Sequence, residues 1–357
     1  MADRPVSPPT TLPETLPETL PEYAGAARGL LSDGAWAYYA GGAGDELTLR
    51  DNVAAWARWA LRPRVLVDVS VVDAGVTVLG ERWAHPVAAA PMAFQVGAHP
   101  HGEVGLARAC EATGSTYALS TSASVSVPEL AAAVPGVRRW FQLYVRGGVD
   151  RARRQIEEAV AHGYAAVLLT VDLPVLGTRD RELRHPWDPD PGLTTIAASG
   201  APLAALSWRD LETLVAACPV PLLAKGVLDA RDARQAVEAG CAGVVVSNHG
   251  GRQLDRVLPT ALALPEVVAE VGSEVDVLVD GGVRRGVDVV TALALGARAV
   301  LVGRPLLWGL AVGGAAGAQR VLELLVGEVE TALALLGVPR AVDLTPDAVT
   351  PAPWRWP

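Results

Sequence analysis

The chain has 357 residues, 50% of them hydrophobic and 19% charged, enough for one large domain or two ordinary ones. A formal net charge of -9, a pI near 5.2 and the lack of any lysine- or arginine-rich run disfavour nucleic-acid partners and attraction to anionic membranes. The N-terminal residues show no charged-then-apolar pattern of a signal peptide, no uninterrupted apolar stretch reaches about 18 residues, and Cys110, Cys218 and Cys241 match no metal or disulfide spacing. These features describe a soluble, cytoplasmic protein with free thiols and no metal.

Residues 1–21 are expected to form a flexible, proline-rich arm. The repeat 11-TLPETLPETLPE-22 places a proline at every fourth position, which interrupts both helix and ladder hydrogen bonding. Helical pattern begins near Glu22 and makes 22–84 a helical segment and cover, interrupted in 35-AWAYYAGGAGDELTLRDN-52 by Gly41, Gly42 and Gly44. From residue 85 the rhythm changes. Short apolar runs recur as 85-HPVAAAPM-92, 115-STYALST-121, 138-RRWFQLYV-145 and 165-AAVLLTVD-172. They continue as 221-PLLAKG-226, 242-AGVVVSN-248, 275-VDVLVDGG-282 and 297-ARAVLVGR-304.

Helix-like segments separate these runs, among them 101–114, 149–163, 229–240 and 286–296, and several end in glycine. Near-continuous apolar strands alternating with amphipathic helices imply a parallel sheet covered by helices. Eight units over 85–340 predict an α/β fold, a (β/α)8 TIM barrel, with 341–357 as a C-terminal tail. The long gap after the fourth run contains 185-HPWDPDPGLTTIAASGAP-202, which reads as a lid loop.

A barrel of this kind assembles its site at the C-terminal ends of the strands. Those ends carry Ala93, Ser120 and Ser122, Gln142 and Tyr144, Thr170 and Asp172, Lys225, Ser247 to Arg252, Asp280 to Arg284, and Gly303 with Arg304. After the last two strands, DGGVRRG and GRP join glycines that expose backbone N–H groups to arginines, a combination suited to a phosphate. A histidine such as His249 abstracts a proton near neutral pH, and a carboxylate such as Asp172 orients it. Arg179 and Arg252 suit a substrate carboxylate. Lys225 has two readings at this point, as a Schiff-base former in a phosphate-binding barrel aldolase or isomerase, or as a charge partner of a cofactor.

The string SNHGGRQLD (247–255) resembles the signature of the FMN-dependent 2-hydroxy-acid oxidase and dehydrogenase family, which includes glycolate oxidase, lactate oxidase and mandelate dehydrogenase. YYAGGAGDE, APMAFQ, HPHGE, FQLY, LTVDLPVLGTRDRELR, LAKGV, DGGVRRG and LGARAVLVGRP follow the family's order across residues 35–310. The resemblance implies that His249 is the base, hydrogen-bonded to Asp172. It implies that Arg179, Arg252 and Tyr38 bind the substrate carboxylate, and that Tyr144 contacts the hydroxyl or carboxylate. Lys225 would lie against the N1–C2 carbonyl edge of the flavin. Ala93, Ser120, Gln142 and Thr170 would line its ring, with Ser247 nearby. Asp280, Gly282, Arg284, Gly303 and Arg304 would hold the ribityl chain and phosphate.

Small-substrate members of the family have a tryptophan where this chain has Ser122, so the resemblance implies a pocket for a substrate bulkier than glycolate, such as an aromatic 2-hydroxy acid. The implied reaction is oxidation of an L-2-hydroxy acid to the 2-oxo acid by an FMN-dependent (S)-2-hydroxy-acid oxidase, with O2 as acceptor and hydrogen peroxide as product. A dehydrogenase passing electrons to a quinone or protein acceptor is the neighbouring reading. The resemblance also implies a homotetramer and no membrane attachment.

Overall fold

The computed structural model describes residues 15–188 and 206–353. The eight apolar runs form the eight parallel strands of a closed barrel. Three short strands precede it, β1 (Trp59–Leu61), β2 (Val76–Val78) and β3 (Glu81–Trp83). The barrel strands are β4 (Val87–Met92), β5 (Tyr117–Ser120), β6 (Arg139–Leu143), β7 (Val167–Thr170), β8 (Leu222–Val227), β9 (Gly243–Val246), β10 (Asp276–Asp280) and β11 (Ala299–Val302). A last short strand, β12 (Val349–Pro351), follows. Each barrel strand pairs with its sequence neighbours, and β11 closes onto β4 with Val300 opposite Val87. Parallel strands are covered on both faces, and β5, β7, β9 and β11 are buried at every position, which is why they read as unbroken apolar runs.

The described helices are α1 (Leu20–Leu30), α2 (Asp33–Ala40), α3 (Leu47–Ala54), α4 (Gly102–Thr113), α5 (Val127–Ala133), α6 (Val149–Ala161), α7 (Asp180–Arg184), α8 (Trp208–Ala217), α9 (Ala230–Glu238), α10 (Thr260–Val271), α11 (Gly286–Ala294) and α12 (Arg304–Leu336). α6 shows how they cover the barrel: Ala152, Ile156 and Ala159, at helical spacing, are its buried face. α4 ends on Gly114 at φ +73°, a left-handed cap that suits glycine. The 33-residue α12 is long and apolar enough, by length and composition, to cross a membrane, yet most of that stretch is buried in the body. Gly313 and Gly314 break its helical path.

Two boundaries differ from the sequence reading. α1 begins at Leu20, inside the segment expected to be a loose arm, and Leu20 is buried. Pro21 falls in the first turn, where its missing N–H costs no helical hydrogen bond, and the Glu22 carboxylate accepts from the backbone N–H groups of Glu18 and Thr19. The last TLPE unit is thus a helix start, while residues 1–14 lie outside the described residues. At the other end, β12 pairs antiparallel with β1, Leu61 opposite Val349, so 349–351 is anchored to the cover segment.

That cover positions the site. Between α2 and α3, Ala43 N–H donates to the Gly251 carbonyl at 2.8 Å and Gly44 N–H to the Thr178 carbonyl at 3.0 Å. Thr48 N–H donates to Asp255 Oδ1 at 2.8 Å, and Trp56 Nε1–H to the Gly281 carbonyl at 2.9 Å. The N-terminal segment is therefore fastened to the loops that follow β7, β9 and β10. Of the stretch read as a lid, 189–202 lies outside the described residues. Its first residues are placed, with the Trp187 ring 5.0 Å from that of Tyr38.

Candidate active site

A cavity of about 700 Å³ opens at the C-terminal rim of the barrel. Of the residues to which the resemblance gives a role, all but Asp172 and Ser247 line it, and those two contact His249 from behind the lining.

One wall is a polar row across three strand ends. Gln142 Oε1 accepts from the Ser120 hydroxyl at 3.1 Å, and its Nε2 donates to the Thr170 hydroxyl at 2.9 Å. All three are buried, so the row is a fixed set of hydrogen-bonding groups rather than a solvated rim. Beside it Lys225, on β8, reaches Asp280 Oδ2 at 2.8 Å and the Ser247 hydroxyl at 3.0 Å. Burial alone would drive the Lys225 ammonium toward neutrality, but Asp280 and Asp172 outweigh it and hold its pKa above the ordinary value. The lysine is a permanent cation here, which disfavours the Schiff-base reading, because an imine requires a neutral amine.

His249 follows β9 at φ +58°, a left-handed conformation for a non-glycine residue. Three contacts hold it there. Its N–H donates to the Ser247 hydroxyl at 3.1 Å, and its Nδ1 pairs with Asp172 Oδ1 at 3.0 Å. The preceding Asn248 exchanges amide hydrogen bonds of 2.8 and 2.7 Å with Asn52 on α3. The Asp172 carboxylate can accept only from a protonated Nδ1, so a neutral ring presents Nε2 as its base, 3.4 Å from the Tyr144 hydroxyl. Burial raises the Asp172 carboxyl, but His249 and Lys225 lower it further, leaving it below its usual range and ionised. Burial also pushes the Tyr144 phenol up, so it stays protonated.

The same cavity is lined by the two arginines expected to clamp a carboxylate, 73 residues apart in sequence and linked by Arg179 Nε–H donating to the Arg252 carbonyl at 3.0 Å. Arg252 donates to the carbonyls of Tyr38 and Gly41, and its guanidinium lies 4.8 Å from the Tyr38 ring centre. Glu182, on α7, contacts both arginines, at 3.3 Å for Arg179 and 3.1 Å for Arg252. The sequence reading passed over Glu182, although its i,i+3 spacing from Arg179 was a usable signal. It also gave no role to Asn52, Asn248 or Arg146, whose guanidinium lies 5.0 Å from the Tyr144 ring centre.

The remaining end of the cavity is cationic. Arg304 is half-buried and donates to the carbonyls of Tyr39, Gly41 and Gly250, and desolvation drives its pKa well below the ordinary value. Burial likewise lowers Arg284, to about 10. A Cβ at Gly303 would make only ordinary contacts, the nearest with the Met92 sulfur at 3.6 Å, while Gly282 at φ +79° lies so close to the cover that a Cβ there would sit 1.9 Å from the Asn52 carbonyl oxygen. Gly282→Ala should therefore cost about 3 kcal/mol or more of stability, read as a lowered denaturation midpoint. An unchanged midpoint would contradict the described approach of α3 to this loop.

These features fit an FMN. Half-buried guanidinia held by carbonyls suit a phosphate, and Asp280 Oδ1, buried without a hydrogen-bond partner among the described residues, suits a ribityl hydroxyl. The polar row and Lys225 suit the edge of an isoalloxazine ring.

Comparisons with known proteins agree. Residues 27–351 match the FMN-dependent dehydrogenase family. The chain is 45% identical to the L-lactate oxidase of Nostoc sp. over 347 residues, covering 90% of this chain and 95% of that one. It is 42% identical to 2-hydroxyacid oxidase 1 of Homo sapiens, covering 88% and 91%. Among solved structures, mandelate oxidase with (S)-2-phenylpropionate superposes with a TM-score of 0.88 at 40% identity, covering 94% of this chain and 98% of that one. A soluble mutant of the membrane-associated (S)-mandelate dehydrogenase from Pseudomonas putida gives 0.90 at 36% identity, covering 94% and 99%. A closed eight-stranded barrel, a rim fitted for a flavin phosphate and likeness along nearly the whole chain place this protein in the FMN-dependent dehydrogenase family, among the 2-hydroxy-acid oxidases and dehydrogenases.

Proposed function

We propose that the protein oxidises L-2-hydroxy acids bulkier than glycolate to 2-oxo acids, with O2 as the electron acceptor and hydrogen peroxide as the product. The observation that carries this reading is that His249, paired with Asp172, lines one cavity together with Arg179 and Arg252. The arginines hold the substrate's carboxylate and so fix the α-carbon relative to His249. His249 Nε2 takes the proton from the hydroxyl or the α-carbon; a hydride route and a carbanion route both need this base. Asp172, ionised and at 3.0 Å, stabilises the imidazolium that results. Tyr144 and Tyr38 meet the substrate's oxygens. Acceptance of the electron pair is the chemistry that FMN supplies when bound. Lys225, kept protonated, is suited to stabilise negative charge on the reduced ring.

The choice of O2 is supported by the oxidase names of the relatives, lactate oxidase and 2-hydroxyacid oxidase. The choice of a bulky substrate is supported by Ser122, a small side chain on the cavity wall beside Met92 and Phe94. Oxygen uptake and peroxide release with glycolate, lactate, mandelate and a long-chain 2-hydroxy acid test both. Reduction by substrate with no re-oxidation in air would replace O2 with a quinone or protein acceptor. Ser122→Trp is expected to lower kcat/KM for mandelate at least about tenfold more than for lactate, because a filled pocket excludes only what needs the space. Equal losses would remove Ser122 as the determinant.

A further inference from the structure

We propose that Glu182 is a built-in stand-in for the substrate's carboxylate, which an incoming ligand displaces, and that it sets the site's preference for a single negative charge. The inference rests on Arg179 and Arg252 being the carboxylate clamp.

Glu182 Oε1 is a single oxygen that accepts from both guanidinia, from Arg179 Nη1 at 3.3 Å and from Arg252 Nη2 at 3.1 Å. That is the position a ligand carboxylate bridging the two arginines would take. The guanidinia do not depend on Glu182 for their placement. Arg179 is also held by the Arg252 carbonyl at 3.0 Å and Gln253 Oε1 at 3.4 Å, and Arg252 by the Gly41 carbonyl at 3.2 Å, the Tyr38 carbonyl and the face of the Tyr38 ring. Glu182 therefore contributes charge more than position.

Of the three side chains, Glu182 is the most exposed, at 24% against 8% for Arg179 and 14% for Arg252. It is the member that can turn toward water, whereas the guanidinia cannot leave without stranding their other partners. The charge count then selects ligands. Within the clamp itself two guanidinia and one carboxylate sum to one positive charge, and Glu182, turned aside but still beside the guanidinia, repels the second charge of a dicarboxylate. In a partly buried setting, repulsion between neighbouring carboxylates is strong enough to decide affinity.

The test uses the FMN-loaded enzyme with propionate as a monoanion and malonate as a dianion, binding being read from perturbation of flavin absorbance and from tryptophan fluorescence. Glu182→Gln, nearly isosteric, is expected to lower the propionate dissociation constant about tenfold and the malonate constant by more, as one repulsive charge is removed. KM for the 2-hydroxy acid should fall in parallel. Glu182→Asp keeps the charge, and the malonate-to-propionate ratio should stay within about twofold of wild type. Weaker or unchanged binding of both anions to Glu182→Gln would make Glu182 a brace and overturn the proposal. Equal tightening of both would overturn the charge selection. If wild type binds neither anion and no 2-hydroxy acid reduces it, the clamp reading itself has failed, and this inference with it.

Discussion

His249→Asn is expected to retain bound flavin and lose reduction by 2-hydroxy acids by about a thousandfold or more. Asparagine is the informative replacement because the residue sits at φ +58°, a conformation asparagine adopts more readily than most side chains. The loop should keep its path through the Asn52–Asn248 amide pair and the hydrogen bond from residue 249 N–H to Ser247. What disappears is the base and its link to Asp172. Flavin content and the denaturation midpoint should stay close to wild type, while the anaerobic reduction rate collapses. Near-normal reduction by His249→Asn would remove His249 from its role. Loss of flavin together with activity would instead show that the loop had moved.

Lys225→Met should be the most damaging change to the scaffold around the flavin. It strands Asp280 in a buried position, its Oδ1 already without a partner among the described residues and its Oδ2 deprived of the ammonium at 2.8 Å. Removing one member of a buried pair costs about 3–5 kcal/mol, because the remaining charge is neither solvated nor compensated. The expected result is a lowered denaturation midpoint and loss of FMN on gel filtration. A Lys225→Met, Asp280→Asn double variant should recover part of the stability but not the flavin reduction, since the charge that stabilises the reduced ring is still missing. The pH dependence has a fixed sign. The folded-state pKa of Lys225 is raised, so its contribution is fully present below the unfolded value of about 10.4 and is lost as pH rises through the folded value. The stability difference between wild type and Lys225→Met should therefore shrink as pH rises through the folded value. A difference that persisted undiminished at the alkaline end would contradict the pairing with Asp280.

The barrel is legible in the sequence because its strands are buried on both faces, and burial leaves an uninterrupted apolar run between polar exits. β9 is the plainest case: Gly243 to Val246 are wholly buried, and Ser247 to Arg252 follow at once. α12 is far less legible. Its glycines at 313 and 314 look like a stop, and nothing local reveals that the chain resumes helix on the far side. The start of α1 is hidden for a related reason, since a proline every fourth residue reads as unstructured until one of them falls in a first turn.

In the site, residue types and their place at strand ends were readable, but partnerships were not. Asn52 and Asn248 are 196 positions apart, and only closure of the cover onto the barrel brings their amides together. Glu182 stands in DREL among other charges and reads as part of a solvated helix face. Its closeness to Arg252, 70 positions away, belongs to the tertiary structure alone.

The account depends most on the claim that this cavity holds FMN and passes to it an electron pair from a 2-hydroxy acid. The most direct measurement is the visible spectrum of the purified protein before and after anaerobic addition of lactate and mandelate. The account predicts flavin absorption that bleaches on mixing, faster with mandelate, in wild type but not in His249→Asn. A colourless protein that takes up no added FMN, or a flavin that no 2-hydroxy acid bleaches, would contradict it.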